Sequence, residues 1–208
     1  MASIESPNAY TFYMAINATG SKRFAVIGEP VVAVDLINTV AAPGSPTTTD
    51  DLLTAVRDAQ AWWRIEETRV PDGDLPDIRA LRRLRTALRA MIEALIDGRQ
   101  VPQGAVADLN FFMQSAPAST RVLLTETGLR TEIQWHLEYG GNPRLAFIAT
   151  QAAEFLSNPS KVSRLRRCAN PSCSMIFIAV NPRRSWCAPG VCGNRVRVAR
   201  HYSRAGGS

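Results

Sequence analysis

Cys168-Ala169-Asn170-Pro171-Ser172-Cys173, thirteen residues, then Cys187-Ala188-Pro189-Gly190-Val191-Cys192: these two short loops hold all four cysteines of the 208-residue chain. Two close-set pairs separated by a hairpin-length insert present four thiolates to one tetrahedral ion. Four protein ligands leave no open position for water or substrate, so the spacing predicts one structural Zn2+ held by Cys168, Cys173, Cys187 and Cys192. Asn170-Pro171 favours a tight turn that aims the first two sulfurs inward. An iron–sulfur centre or two disulfides could use the same residues. The opening Met1-Ala2-Ser3-Ile4-Glu5 lacks a basic leader, and no apolar run approaches the ~20 residues that span a bilayer. A cytoplasmic chain without a membrane partner is expected, and a reducing compartment favours metal over disulfides.

Working outward from the cysteines, Met175 to Val180 reads as a strand, Asn181-Pro182-Arg183-Arg184 as a turn and Ser185-Trp186-Cys187 as the return. A helix starting near Cys192 or Gly193 would complete a treble-clef-like zinc finger, a β-hairpin plus a C-terminal helix. At 100° per residue, Arg197, Arg200 and Arg204 fall within about 60° of one another, with His201 alongside. Cys192, Arg195, Val198, Ala199 and Tyr202 take the opposite side. Arg195 is therefore expected to face inward, with its donors on loop carbonyls or balancing thiolate charge. Arg197 or Arg200 would read guanine, while Arg183 and Arg184 would meet phosphate.

Charge is divided unevenly along the chain. Residues 1–154 carry 14 basic and 18 acidic side chains, a net of −4; residues 155–208 carry ten basic and no acidic ones, a net of +10. Four thiolates around one zinc contribute −2, so the folded tail stays near +8. Such an excess attracts a polyanion through counterion release, though a solvated basic tail would show the same count.

The first 158 residues read as a mostly helical α+β domain with a small hairpin. Tyr10 to Ile16 fits a strand or an arm. Pro30 to Val40 is a buried run that strand or helix could explain. Ala41-Ala42-Pro43-Gly44-Ser45-Pro46 breaks it, and Thr49 or Asp50 would cap a helix over about 51–64. Ile78, Leu81, Leu84, Leu88, Met91, Ile92 and Leu95 form one stripe of a helix from about 75 to 97, with Arg79, Arg82, Arg83 and Arg89 on its other side as a solvated face or a second anion surface. A short helix over 103–114 follows. Thr120 to Leu124 and Leu129 to Glu138 flank Glu126-Thr127-Gly128, a hairpin signal, and Pro143 starts a helix through about Leu156. Ser157-Asn158-Pro159-Ser160 marks a boundary between residues 1–158 and a finger over 159–208.

Arg167-Cys168-Ala169-Asn170-Pro171-Ser172-Cys173, the apolar strand, Arg183-Arg184-Ser185-Trp186-Cys187 and the run Cys192-Gly193-Asn194-Arg195 together resemble the CGNR zinc finger. That finger follows an α+β domain known as ABATE, and Gly28-Glu29-Pro30 through Val40 resembles the start of such domains. The resemblance implies a stress-induced transcription regulator: zinc-containing, binding double-stranded DNA, with a sensing or dimerising N-terminal domain. Within the named run, Asn194 and Arg195 would support the metal loops rather than contact bases. A homodimer would supply the base contacts that one small finger lacks.

A scaffold whose zinc module only caps the N-terminal domain, and an RNA-binding protein, are the competing readings. An enzyme has the least support. No phosphate-binding glycine loop or nucleophile elbow is present. His136 reads as a packed core histidine, and Glu66-Glu67 and Asp50-Asp51 as helix surface and cap. Trp62, Trp63 and Trp135 could line an effector pocket or fill the core.

Overall fold

Val31 to Thr39 is buried at every residue, and in a computed structural model of the chain its centre is a short helix, α1 (Val32–Ile37). The structure describes residues 13–16, 23–26, 31–40 and 51–205, with the side chains of 13–16, 23–26, 189, 191 and 200–205 excepted. A helix buried on all sides must be enclosed by other elements. Helices α3 (Ile78–Ile96) and α5 (Pro143–Leu156) pack against α1, and so does a strand of the C-terminal module. Ahead of α1, β1 (Tyr13–Ile16) pairs antiparallel with β2 (Arg23–Val26), Tyr13 opposite Val26.

The predicted stripe on α3 is the spine of this core: Leu81, Leu84, Leu88 and Ile92 are almost wholly buried. Asp77 caps the helix by accepting from the Arg79 and Ala80 amides, and Gly98 closes it at φ +62°, a left-handed conformation that costs other residues steric strain. The arginines beside the stripe are mostly tied within the fold. Arg83 reaches Asp108 on α4 (Gln103–Ser115) at 2.5 Å, and Arg89 donates to the Ile37 and Val40 carbonyls. Arg85, hidden in the sequence among them, is buried and grips both Asp51 carboxylate oxygens at 2.7 Å. That grip explains a late helix start: Asp51 serves Arg85, and α2 runs Val56–Glu66 instead of from 51. Asp58 accepts from the Thr54 and Ala55 amides at its head. Thr49 and Asp50, the expected caps, lie outside the described residues.

Glu66 is fully buried rather than on a helix surface. It shares the Arg69 guanidinium with the equally buried Asp35, at 2.7 and 2.6 Å. Burial first, and then the Asp35 charge, push the Glu66 carboxyl up to about 8, so the fold holds its proton at neutral pH. In the unfolded chain that proton leaves near the ordinary glutamate value. Stability from this group is therefore present at acid pH and is lost as pH rises towards 8. Glu66→Gln should flatten this fall, with the melting temperature at pH 8 raised relative to the native chain, as thermal denaturation across pH 5–9 would read.

Strands β3 (Ala118–Thr125) and β4 (Gly128–Trp135) form the expected hairpin around the two-residue turn Glu126-Thr127, with Leu124 opposite Leu129 and Ala118 opposite Trp135. Helix α5 starts at Pro143 as predicted, capped by Asn142, and α6 (Pro159–Val162) follows, capped by Asn158. Trp62 and Trp63 fill the core edge to face, centroids 4.7 Å apart. Trp135 instead lines a cavity of about 600 Å3 with Arg69, Met113, Phe147, Gln151 and Glu154.

Candidate metal centre

Strands β5 (Leu165–Arg167) and β6 (Ile176–Ile178) flank the first cysteine loop and pair antiparallel, Leu165 opposite Ile178. The expected partner of β6, Ser185 to Cys187, is not a strand; its Ser185 carbonyl accepts from the Ala169 amide at 2.8 Å. Alternation along β6 divides its side chains between two cores. Ile176 and Ile178 join the core built on α1, while Met175, Phe177 and Ala179 turn to the cysteines.

Inside the first loop the Cys173 amide donates to the Asn170 carbonyl, and the Ser172 amide to the Asn170 side chain, the turn that Asn-Pro promised. This turn points main-chain amides at sulfur: that of Asn170 at Cys168 Sγ and that of Met175 at Cys173 Sγ. The second loop passes through a wide helical turn, Pro189–Gly193, into α7 (Asn194–Ala205), one to two residues later than predicted. Gly193 packs closely under Trp186 there. A Cβ on it would lie 3.3 Å from Cε3 of Trp186, whose ring covers the turn.

All four sulfurs are buried and lie within 4.8 Å of one another, with Cys173 to Cys187 at 3.8 Å and Cys187 to Cys192 at 3.6 Å. A tetrahedron with Zn–S bonds of about 2.3 Å has edges of roughly 3.8 Å. The donors therefore fit one zinc ion. Their protons show what the ion relieves. Donation from Cys173, then from Cys187, holds the Cys168 thiol at about 2, and that same donation to Cys168 pushes Cys173 up to about 12 and Cys187 higher still. These three sulfurs share protons among themselves, and a divalent cation takes the place of those protons.

Arg184 does the work expected of Arg195. It donates to the Trp186, Ile178 and Cys187 carbonyls, the last at 2.6 Å, and its guanidinium lies 4.6 Å from the centre of the Phe177 ring. These bonds commit three of its five donors to the metal loops. Arg195 is exposed, and so are Val198 and Ala199, which were expected to face the metal. The reason is the anchoring: Cys192 and Gly193 are buried under Trp186, and α7 then leads away from the cysteines, its main contacts being with the turn before it. Asn194 fastens that exit. Its side-chain amide donates to the Gly190 carbonyl at 2.7 Å, and its oxygen accepts from the exposed Arg197. Arg183 is exposed as well. The side chains of Arg200, His201, Tyr202 and Arg204 lie outside the described residues.

A metal knot between two strands and a helix, joined to a mostly helical domain that begins with a buried apolar run, is the architecture the comparisons with known families meet. Residues 31–159, more than half the chain, match ABATE, described as "Putative stress-induced transcription regulator". The chain belongs to the ABATE family. Residues 164–205 match the CGNR zinc finger. No curated protein matches the sequence.

Two polar side chains add to the shared apolar core in binding the finger of this ABATE protein to its N-terminal domain. The buried Asn38 side chain donates to the Ile176 carbonyl at 2.8 Å and accepts from the Ile176 amide at 3.0 Å. Arg167 meets both Asp97 oxygens, at 3.0 and 3.2 Å. Neither residue was singled out from sequence, although an asparagine ending an apolar run is a signal for a buried main-chain partner. His136, expected in the core, is half-exposed, bonded to Ser119 Oγ at 2.9 Å and 3.5 Å from Glu138. Ser119 and Glu138 are exposed. No helix among the described residues is long and apolar enough to cross a membrane.

Proposed function

We propose that this ABATE protein is a DNA-binding transcription regulator whose single structural zinc holds a basic helix out towards double-stranded DNA, while the N-terminal domain receives the signal. The observation that carries this reading is the exposure of Arg195 and Arg197 at the head of α7, on a module without a single acidic residue. Helix α7 enters the groove, Arg195 and Arg197 reach base edges or phosphate, and Arg183 on the neighbouring loop meets the backbone; Arg200 and Arg204 extend the same helix. The cavity between Arg69 and Trp135 supports an effector site in the N-terminal domain, apolar along Met113 and Phe147 with polar groups at Gln151 and Glu154.

Selection of bound sequences from random duplex DNA at two salt concentrations tests the reading. Enrichment of one motif, with affinity falling as salt rises, is the expected result; equal binding to RNA, or none to either polymer, would overturn it. Arg195→Ala and Arg197→Ala should each weaken binding and lower the salt slope by about one, with metal retained. Arg184→Ala should act differently. It leaves buried carbonyls without donors and should cost the finger about 2–4 kcal/mol of stability before any effect on DNA.

A further inference from the structure

The β3–β4 hairpin is eight residues long on each side and stands with both faces largely in solvent. Four apolar side chains are strongly exposed on it: Val122, Leu124, Leu129 and Ile133 at 62, 84, 77 and 53 %. Their positions in the register put them on one face. A two-stranded ribbon is marginal in water, and sheets of three or more strands with an apolar face are the stable form. Among the described residues, β4 has β3 as its sole neighbour, so its other edge is an open template.

The composition of β4 selects what that edge accepts. The His136 amide donates to the Pro117 carbonyl, which continues the ladder with β3. Main-chain groups of even-numbered β4 residues therefore point to β3, and those of Leu129, Thr131 and Ile133 point outward. A second copy of β4, added antiparallel about a twofold axis, must pair these odd-numbered residues with one another. Three registers satisfy that rule near the middle of the strand. Centring on Arg130 sets arginine against arginine, and centring on Glu132 sets glutamate against glutamate. Centring on Thr131 sets Arg130 opposite Glu132 of the other copy, twice by symmetry, and Leu129 opposite Ile133. Arg130 and Glu132 then occupy the close, non-hydrogen-bonded pairs, where opposite charges help and like charges repel most. One register is favoured and its neighbours are penalised.

We infer that the protein is a homodimer joined by antiparallel β4–β4 pairing about Thr131, which makes one four-stranded sheet from two hairpins. The interface is isologous, each copy giving the same strand. The inference is independent of whether the finger binds DNA, although it would set two fingers about one twofold axis.

Sedimentation equilibrium of the full, zinc-loaded chain at tens of micromolar tests it. The native protein should run at twice its 22.8 kDa chain mass. Glu132→Lys sets Lys against Arg130, and Arg130→Glu sets Glu against Glu132; each should weaken self-association roughly tenfold or more. Mixing the two variants puts unlike charges opposite again, so the mixture should recover the dimer as a heterodimer. Arg130 is exposed and Glu132 partly so, and Glu132 also meets Arg121 across its own hairpin at 3.4 Å, so circular dichroism and zinc content of each variant check that the protomer stays folded. A monomeric native protein, single variants that stay fully dimeric, or a mixture that stays monomeric would each overturn the proposal.

Discussion

Cys173→Ser and Cys192→Ser will each strip zinc from the finger and unfold residues beyond about 164, while the helical core around α1 and α3 stays folded. The apolar cluster beside the cysteines is small: Met175, Phe177, Ala179 and Ala188, with Trp186 at its edge. Such a cluster cannot offset the ordering entropy of a forty-residue segment by itself. Structural zinc supplies about 10–16 kcal/mol in apparent free energy, as much as the whole stability of a typical domain. Removing one of four sulfurs therefore removes most of what folds the module. The measurements are elemental analysis for metal and near-ultraviolet circular dichroism for the Trp186 environment. Trp62 and Trp63 report the N-terminal core, where they are fully buried. Full metal content in both variants would contradict the ligand set.

The metal centre was legible in the sequence because covalent spacing constrains it. Six-residue loops with a cysteine at each end leave little freedom in where four sulfurs can meet, and the structure brings them together. Periodicity made α3 and α5 readable for a similar reason, each burying a regular face, and the Glu126-Thr127-Gly128 turn signal made the β3–β4 hairpin readable. What failed was the assignment of arginines. Helical angle placed Arg195 inward, but angle says nothing about how a helix is anchored. Trp186 over Gly193 sets that, and it is a contact between loops. Arg184 looked like a free turn residue because its three carbonyl partners are scattered over ten residues of main chain. Arg85 and the Asp35–Glu66–Arg69 cluster were missed for the same cause. A buried charge is recognised by its partner, and these partners lie 34 residues apart in the chain.

The seam between finger and N-terminal domain carries the second large effect. Asn38→Leu should destabilise the docking of β6 by about 2–5 kcal/mol, because it leaves both the Ile176 amide and carbonyl buried without partners. Leucine is close to asparagine in size, so lost packing contributes little and the cost is one of polar satisfaction. No metal ligand is touched, and zinc content should stay at one per chain. The amide of Ile176 should exchange with solvent about 30- to 5,000-fold faster, the same energy read as an opening equilibrium. Asn38→Asp makes a sharper control: it keeps an acceptor for the amide but turns a carboxylate oxygen towards the Ile176 carbonyl, and should be no better than leucine. Unchanged exchange at Ile176 in both variants would mean that the apolar contacts of Ile176 and Ile178, together with Arg167 on Asp97, hold the seam by themselves. If Asn38 holds it, any change that moves α1 is felt at β6. The residue after the neighbour of Ile176 is Ile178, whose carbonyl Arg184 grips on the metal side. A signal received around α1 would then reach the cysteine loops through main chain, in a path a few residues long.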